Sequence, residues 1–224
     1  MNLFEQFKSP ELLYTPTIIL SMLIPLLLMH HKPKLLGSRM TTALHGFLKF
    51  TTTNMTMQLS NTGQKWCRIL MSLLLFILLS NILSLLPYTF TPTSQLSMNM
   101  TLAIPMWMAT IFTGMTKNPS TTLAHMLPEG SPTPLIPFMI MIETVSLIMR
   151  PLALGVRLTA NITAGHLLMT MISSTTFNLF SSYISLSLLM WILLFLLTIL
   201  ELAVACIQAY VFVLLIVLYL QENT

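Results

Sequence analysis

From Ile184 to Leu220 the chain contains no Gly, no Pro and a single charged residue, Glu201. As an α-helix that run is ~55 Å long, nearly twice a hydrocarbon layer of ~30 Å. Backbone polar groups inside lipid must be satisfied within the protein, which leaves only helices and closed barrels. A barrel strand alternates in short segments of about ten residues, so an unbroken apolar run of this length can only be helical. The rest of the chain agrees. Its 224 residues are 55% hydrophobic and 7% charged, where a soluble domain carries roughly 25% charged residues, and mean hydropathy is +0.83. The chain is expected to be an all-α integral membrane protein.

Further apolar stretches divide it into a single membrane domain, 1–224, with about five crossings. Residues 12–29 form the first span, interrupted by Pro16 and kinked at Pro25. Spans at 69–86 and 98–115 follow, then a long helix at 135–172, a polar break SSTTFNLFSSY, and the C-terminal helix at 184–220. The last two are too long to cross upright and are expected to form a long tilted hairpin. Six of the ten basic residues, Lys32, Lys34, Arg39, Lys49, Lys65 and Arg68, lie between His30 and Arg68. By the positive-inside rule that loop faces the inner compartment, with the N-terminus outside and the C-terminal tail QENT inside. Within it, MTTALHGFLKFTTTNMTMQL has the mixed pattern of an interfacial amphipathic helix. His125 and Glu129 are read as solvated loop residues, Asn81 as an interhelical hydrogen-bond partner, and Cys67 and Cys206 as free thiols. The N-terminus resembles neither a transit peptide nor a secretory signal.

Charge inside such helices is expensive, several kcal/mol (~2.5–3.5) per group on insertion scales, so its placement is informative. Over Glu143–His166, at 100° per residue, Glu143, Ser146, Arg150, Ala153, Arg157, Ala160, Asn161 and Ala164 fall within about 60° of Arg157. Small alanines among the polar groups let another helix approach closely, so this face is expected to look toward a partner rather than toward lipid. On the last helix Glu201, Gln208 and Tyr219 lie within about 20° of one another, with Ala205 nearby.

Depth orders these groups. Glu143 is expected toward the inner surface, Arg157 near the middle, and His166 toward the outer surface, where Glu201 meets it. Glu and His exchange protons; Arg does not release its own. The arrangement suits two protonatable half-paths separated by a fixed positive charge. Arg150 is expected either to pair with Glu143 or to meet lipid headgroups. No phosphate loop, haem or metal spacing, or nucleophile elbow is present. We therefore expect no cofactor, no metal and no catalytic centre in this chain alone. The net charge of +4 is concentrated in one loop and implies no nucleic-acid partner.

RLTANITAGH (Arg157–His166), preceded by IET at Ile142–Thr144 and followed by LELAVACIQAYVFVLL from Leu200, closely resembles subunit a of the mitochondrial F-type ATP synthase. The resemblance is strong over the last two helices and compatible with the remainder. It implies a proton-conducting stator subunit of the membrane sector, in the mitochondrial inner membrane, with the N-terminus toward the intermembrane space and the C-terminus toward the matrix. Its implied partners are a rotating ring of c subunits, other stator subunits, the lipid bilayer and the transported protons. Arg157, flanked by Ala153, Ala160 and Ala164, would face the ring carboxylates. Glu201 and His166 would serve the intermembrane-space half-channel and Glu143 the matrix half-channel, with Asn161 and Gln208 as polar partners near the arginine. Relative to bacterial members, the acid and the histidine are exchanged between the two helices, as is typical of mitochondrial ones. Two other readings of the same residues are a proton-coupled secondary transporter and a proton-relay subunit of a respiratory dehydrogenase. Internal repeats and broken midplane helices, or lysines and acids recurring in several spans, would mark those, and neither pattern is seen.

Overall fold

The computed structural model describes residues 7–8, 10–12, 15–29, 39–58, 63–86, 89–117, 119, 135–180 and 183–223. His125 and Glu129 lie outside the described residues. Two short strands, β1 (Glu11–Leu12) and β2 (Thr15–Pro16), pair antiparallel with Glu11 opposite Pro16. Among the described residues six α-helices follow: α1 (Thr17–Met29), α2 (Arg39–Gln58), α3 (Cys67–Ser84), α4 (Leu96–Lys117), α5 (Ile136–Phe180) and α6 (Ile184–Asn223). The helical part of the first apolar stretch thus starts at Thr17 rather than at residue 12. Pro16, which lacks an N–H and fixes its φ, stands at the boundary. At ~20 Å, α1 is shorter than the hydrocarbon layer, whereas four helices among the described residues, Gly63–Ser84, Leu96–Lys117, Ile136–Phe180 and Ile184–Glu222, are long and apolar enough to cross it.

The polar break expected after residue 172 is not a break. Ser173, Ser174, Thr175 and Thr176 donate their hydroxyls to the carbonyls three residues back, at 2.9, 2.8, 2.8 and 2.6 Å. Hydroxyl groups that bond back onto their own helix need no water, so α5 continues to Phe180. Tyr183 N–H then donates to Leu179 O at 2.8 Å and Ser187 N–H to Tyr183 O at 3.1 Å, closing the turn of the α5–α6 hairpin. At the other end, Gln221–Asn223 extend α6 into what composition alone suggests is a polar tail.

The chain forms two compact units, and α3, α4, α5 and α6 each contribute to both. The first contains Met1–His30, Leu75–Met98 and Arg157–Tyr210. Its apolar core includes Ile77, Leu158, Ile162, Ala205 and Ala209, with α1 packed on the 3-10 turn Pro92–Ser94. Thr91 donates to Ser94 Oγ at 2.9 Å, and that hydroxyl donates to Thr91 O at 2.7 Å, which lets these polar residues be buried.

The second unit contains His31–Leu74, Asn99–Val156 and Val211–Thr224. Leu70, Met71 and Leu74 of α3, Ala103 of α4, Leu154 of α5, and Phe212, Val213, Ile216, Val217 and Leu220 of α6 make its core. Thr51 on α2 donates weakly to Met71 Sδ at 3.9 Å, tying the expected amphipathic helix to α3. A Cβ on Gly155 would lie 2.6 Å from Met100 Sδ, so a side chain at position 155 would have to push the flexible Met100 tip aside where α4 meets α5.

Candidate functional site

Within the first unit α5 and α6 pack through small and branched apolar residues, and one acid lies among them. Glu201 is only 9% exposed, and its Oε1 is buried with no hydrogen-bond partner among the described residues. The space it occupies exists because residue 165 is glycine. A Cβ there would lie 2.5 Å from Glu201 Oε1 and 2.9 Å from its Cδ. The carboxyl group therefore rests against the turn of α5 that carries His166, whose Nε2 is likewise buried and unpartnered among the described residues. Gly165→Ala is expected to assemble, because a flexible carboxyl tip can move aside. If Glu201 carries protons as the sequence leads us to expect, the change should lower proton flux about tenfold, since misplacing a reacting group by ~1 Å costs up to a hundredfold. Flux measured in vesicles at matched complex content checks this.

A small cleft of about 10 Å³ lies beside Glu201, close to the least volume that holds one water molecule. Asn161 and Ile162 from α5, Glu201, Val204, Ala205 and Gln208 from α6, and Asn81, Ser84 and Leu85 at the end of α3 line it. It brings together Glu201, Asn161 and Gln208 from the sequence-predicted set, and does not include Arg157 or His166. Asn81 is fully buried and donates through Nδ2 to Ala205 O at 3.4 Å, the interhelical bond expected of it. Its Oδ1 is left without a partner among the described residues, so the same side chain also supplies an acceptor to the cleft. Ser84 donates to Asn81 O at 2.6 Å. Sequence reasoning did not place Asn81 and Ser84 with Glu201; their only local signal was being polar in an apolar run.

Arg157 lies on an exposed face of α5 with Ala153, Ala160 and Ala164 also exposed. Among the described residues no ion pair holds it, so it is not simply neutralised by Glu201. Neighbouring Leu158 is 1% exposed and Ile162 8%. The helix thus presents its guanidinium outward on a strip of small residues while its branched apolar side is packed, as the 3.6-residue period requires.

Glu143 belongs to the second unit, where Arg150 meets it at 3.9 Å (Nη2 to Oε1). Arg150 also donates through Nη1 to Glu222 Oε2 at 2.7 Å and lies over the Tyr219 ring, 5.2 Å from its centroid. Of the two alternatives for Arg150, pairing is the one observed, and its closer partner is Glu222, an acid within the polar C-terminal QENT. Tyr219 is accordingly part of this cation's surroundings.

An acid set against the turn that bears an imidazole, and a guanidinium on an exposed face of the same long helix, are groups of the kind a helical membrane protein needs to pass protons. The family model for the ATP synthase A chain matches residues 12–221. ATP synthase F(0) complex subunit a of Lycodon semicarinatus is 75% identical over 224 residues, covering all of this chain and 99% of the relative. The proteins of the same name from Struthio camelus and Latimeria chalumnae are 57% and 53% identical over the same coverage. The chain belongs to the ATP synthase A chain family.

Proposed function

We propose that this chain is the proton-conducting stator subunit of the ATP synthase membrane sector, offering two offset half-channels to a rotating ring of carboxylate-bearing c subunits. The observation that carries the reading is the contrast between two groups. Glu201 is buried between helices beside a small cleft to which Asn81, Asn161 and Gln208 also contribute, while Arg157 stands on an exposed strip with Ala153, Ala160 and Ala164. The buried acid suits a path through the protein, and the exposed cation suits a partner that passes across its face.

In this mechanism a proton enters from the intermembrane space past Glu201 and His166, with Asn161 and Gln208 as polar partners, and neutralises a ring carboxylate. The neutral subunit leaves Arg157 for lipid. After nearly a full turn its carboxyl group gives up the proton toward Glu143 and the matrix, and the resulting carboxylate is drawn to Arg157. The arginine keeps its own proton throughout, so the half-paths stay separate. A membrane field contributes about 2.3 kcal/mol per charge per 100 mV, which the offset converts to rotation. ATP forms elsewhere in the complex, and this chain contributes no catalytic group to that step. The basic residues between His30 and Arg68 orient the chain in the mitochondrial inner membrane, N-terminus toward the intermembrane space and C-terminus toward the matrix.

Cysteine scanning of α5 in the whole complex tests this reading. Cysteines replacing Ala160 and Ala164 are expected to cross-link, on oxidation, to cysteines placed beside the carboxylate of the c subunit. A cysteine replacing Leu152, exposed on α5 but about 140° from Arg157 in helical projection, is expected not to. Equal cross-linking from all three positions, or none from the alanine positions, would sink the ring-facing assignment.

A further inference from the structure

We infer that Glu222 is the counter-ion that holds Arg150 away from Glu143, leaving the Glu143 carboxylate free to take and release protons. The inference rests on the proposed role of Glu143 as the inner-side proton group. Arg150 follows Glu143 by two turns of the same helix, within about 20° of it in projection and ~10 Å along the axis. Long helical side chains lean toward the helix N-terminus, which aims Arg150 back at Glu143. Both side chains are long enough to approach one another across that span.

They do not close. Nη2 of Arg150 stops at 3.9 Å from Glu143 Oε1, while Nη1 is 2.7 Å from Glu222 Oε2. The second distance is that of a charge-assisted hydrogen bond; the first is too long for any hydrogen bond. Tyr219, three residues before Glu222 on α6, lies 5.2 Å from the guanidinium carbon and helps to hold it. One cation thus lies between two carboxylates and bonds the one on the other helix. A carboxylate gripped by both arms of a guanidinium has its acceptor sites occupied; Glu143, touched only at a distance, keeps them open.

This predicts an order of variants that a simple tie between α5 and α6 does not. With Glu222→Gln the guanidinium loses its charged partner, collapses onto Glu143 and obstructs the exit. With Glu222→Gln and Arg150→Gln together, no cation remains to obstruct it. A mechanical tie would instead be lost equally in Glu222→Gln, Arg150→Gln and the double variant.

The experiment uses the whole complex in vesicles, with potential-driven ATP synthesis and ATP-driven proton pumping compared at matched content of assembled complex. Glu222→Gln is expected to lower both about tenfold, the lower end of what a hydrogen bond to a charged group shifts. The double variant should recover at least half of wild-type turnover, and Glu222→Asp, which keeps the counter-ion, should retain most of it. Glu143→Gln separates the two levels of the argument. If it leaves turnover unchanged, the proposed role of Glu143 fails and this inference falls with it. If Glu143→Gln is defective but the double variant recovers nothing, or Glu222→Gln equals wild type, the counter-ion role alone is overturned.

Discussion

Replacing Arg157 with alanine is expected to abolish coupled ATP synthesis, lowering it at least a hundredfold, while passive proton leak through the membrane sector persists or rises. Removing one preorganised charge from a site that stabilises developing charge costs about 10²–10³ in rate. In the proposed mechanism Arg157 has the added task of blocking a continuous relay. The chain itself should tolerate the change. Arg157 is exposed and holds no ion pair among the described residues, and surface substitutions of that kind usually stay within ±0.5 kcal/mol. Assembly at normal yield combined with uncoupling is therefore the expected signature, read as potential-driven proton flux and ATP synthesis in vesicles holding the whole complex. Arg157→Lys should be intermediate, since it keeps a positive charge but loses the planar fork that meets a carboxylate with two parallel bonds. Unchanged synthesis in the alanine variant would make the arginine structural and end the two-half-channel mechanism.

Glu201→Gln should reduce potential-driven proton flux by about two orders of magnitude, as expected when a positioned proton-transfer group contributes 10²–10⁴-fold. The substitution is nearly isosteric, and Oε1 makes no hydrogen bond among the described residues that an amide would break. Packing beside Gly165 is thereby kept and only the exchangeable proton is lost. Glu201→Asp retains the chemistry but withdraws the carboxyl group by one methylene from the turn bearing His166, so partial flux is expected. Wild-type flux in Glu201→Gln, measured at matched complex content, would make Glu201 a packing residue.

Much of the fold was legible because helix periodicity is a local property. The 100° step placed Ala153, Arg157, Ala160 and Ala164 on one face with no knowledge of neighbours, and the structure leaves that face exposed. The amphipathic helix was also readable, within a loop too polar to span. Helix ends were less so. Residues 173–180 looked like a break because Ser and Thr are counted as polar, yet their hydroxyls bond to their own helix. Glu222 looked like tail for the same reason: its partner, Arg150, is 72 residues away. One signal was available and unused. Gly165 and Glu201 stand equally far from Tyr183 at the hairpin turn, so folding α5 back on α6 about that residue sets glycine against acid.

By itself, then, the sequence determined that the chain is helical, that it lies in a membrane, which residues share each helix face, and which few carry charge at a cost that implies use. Tertiary structure decided the rest: that Gly165 makes room for Glu201, that Asn81 and Ser84 of α3 join Asn161 and Gln208 around a cleft, and that Arg150 bonds Glu222 more closely than Glu143. The face of a helix follows from bonds between residues four apart. The contacts between helices depend on which turns interlock across tens of residues, and that register is set by the shapes of side chains meeting in space.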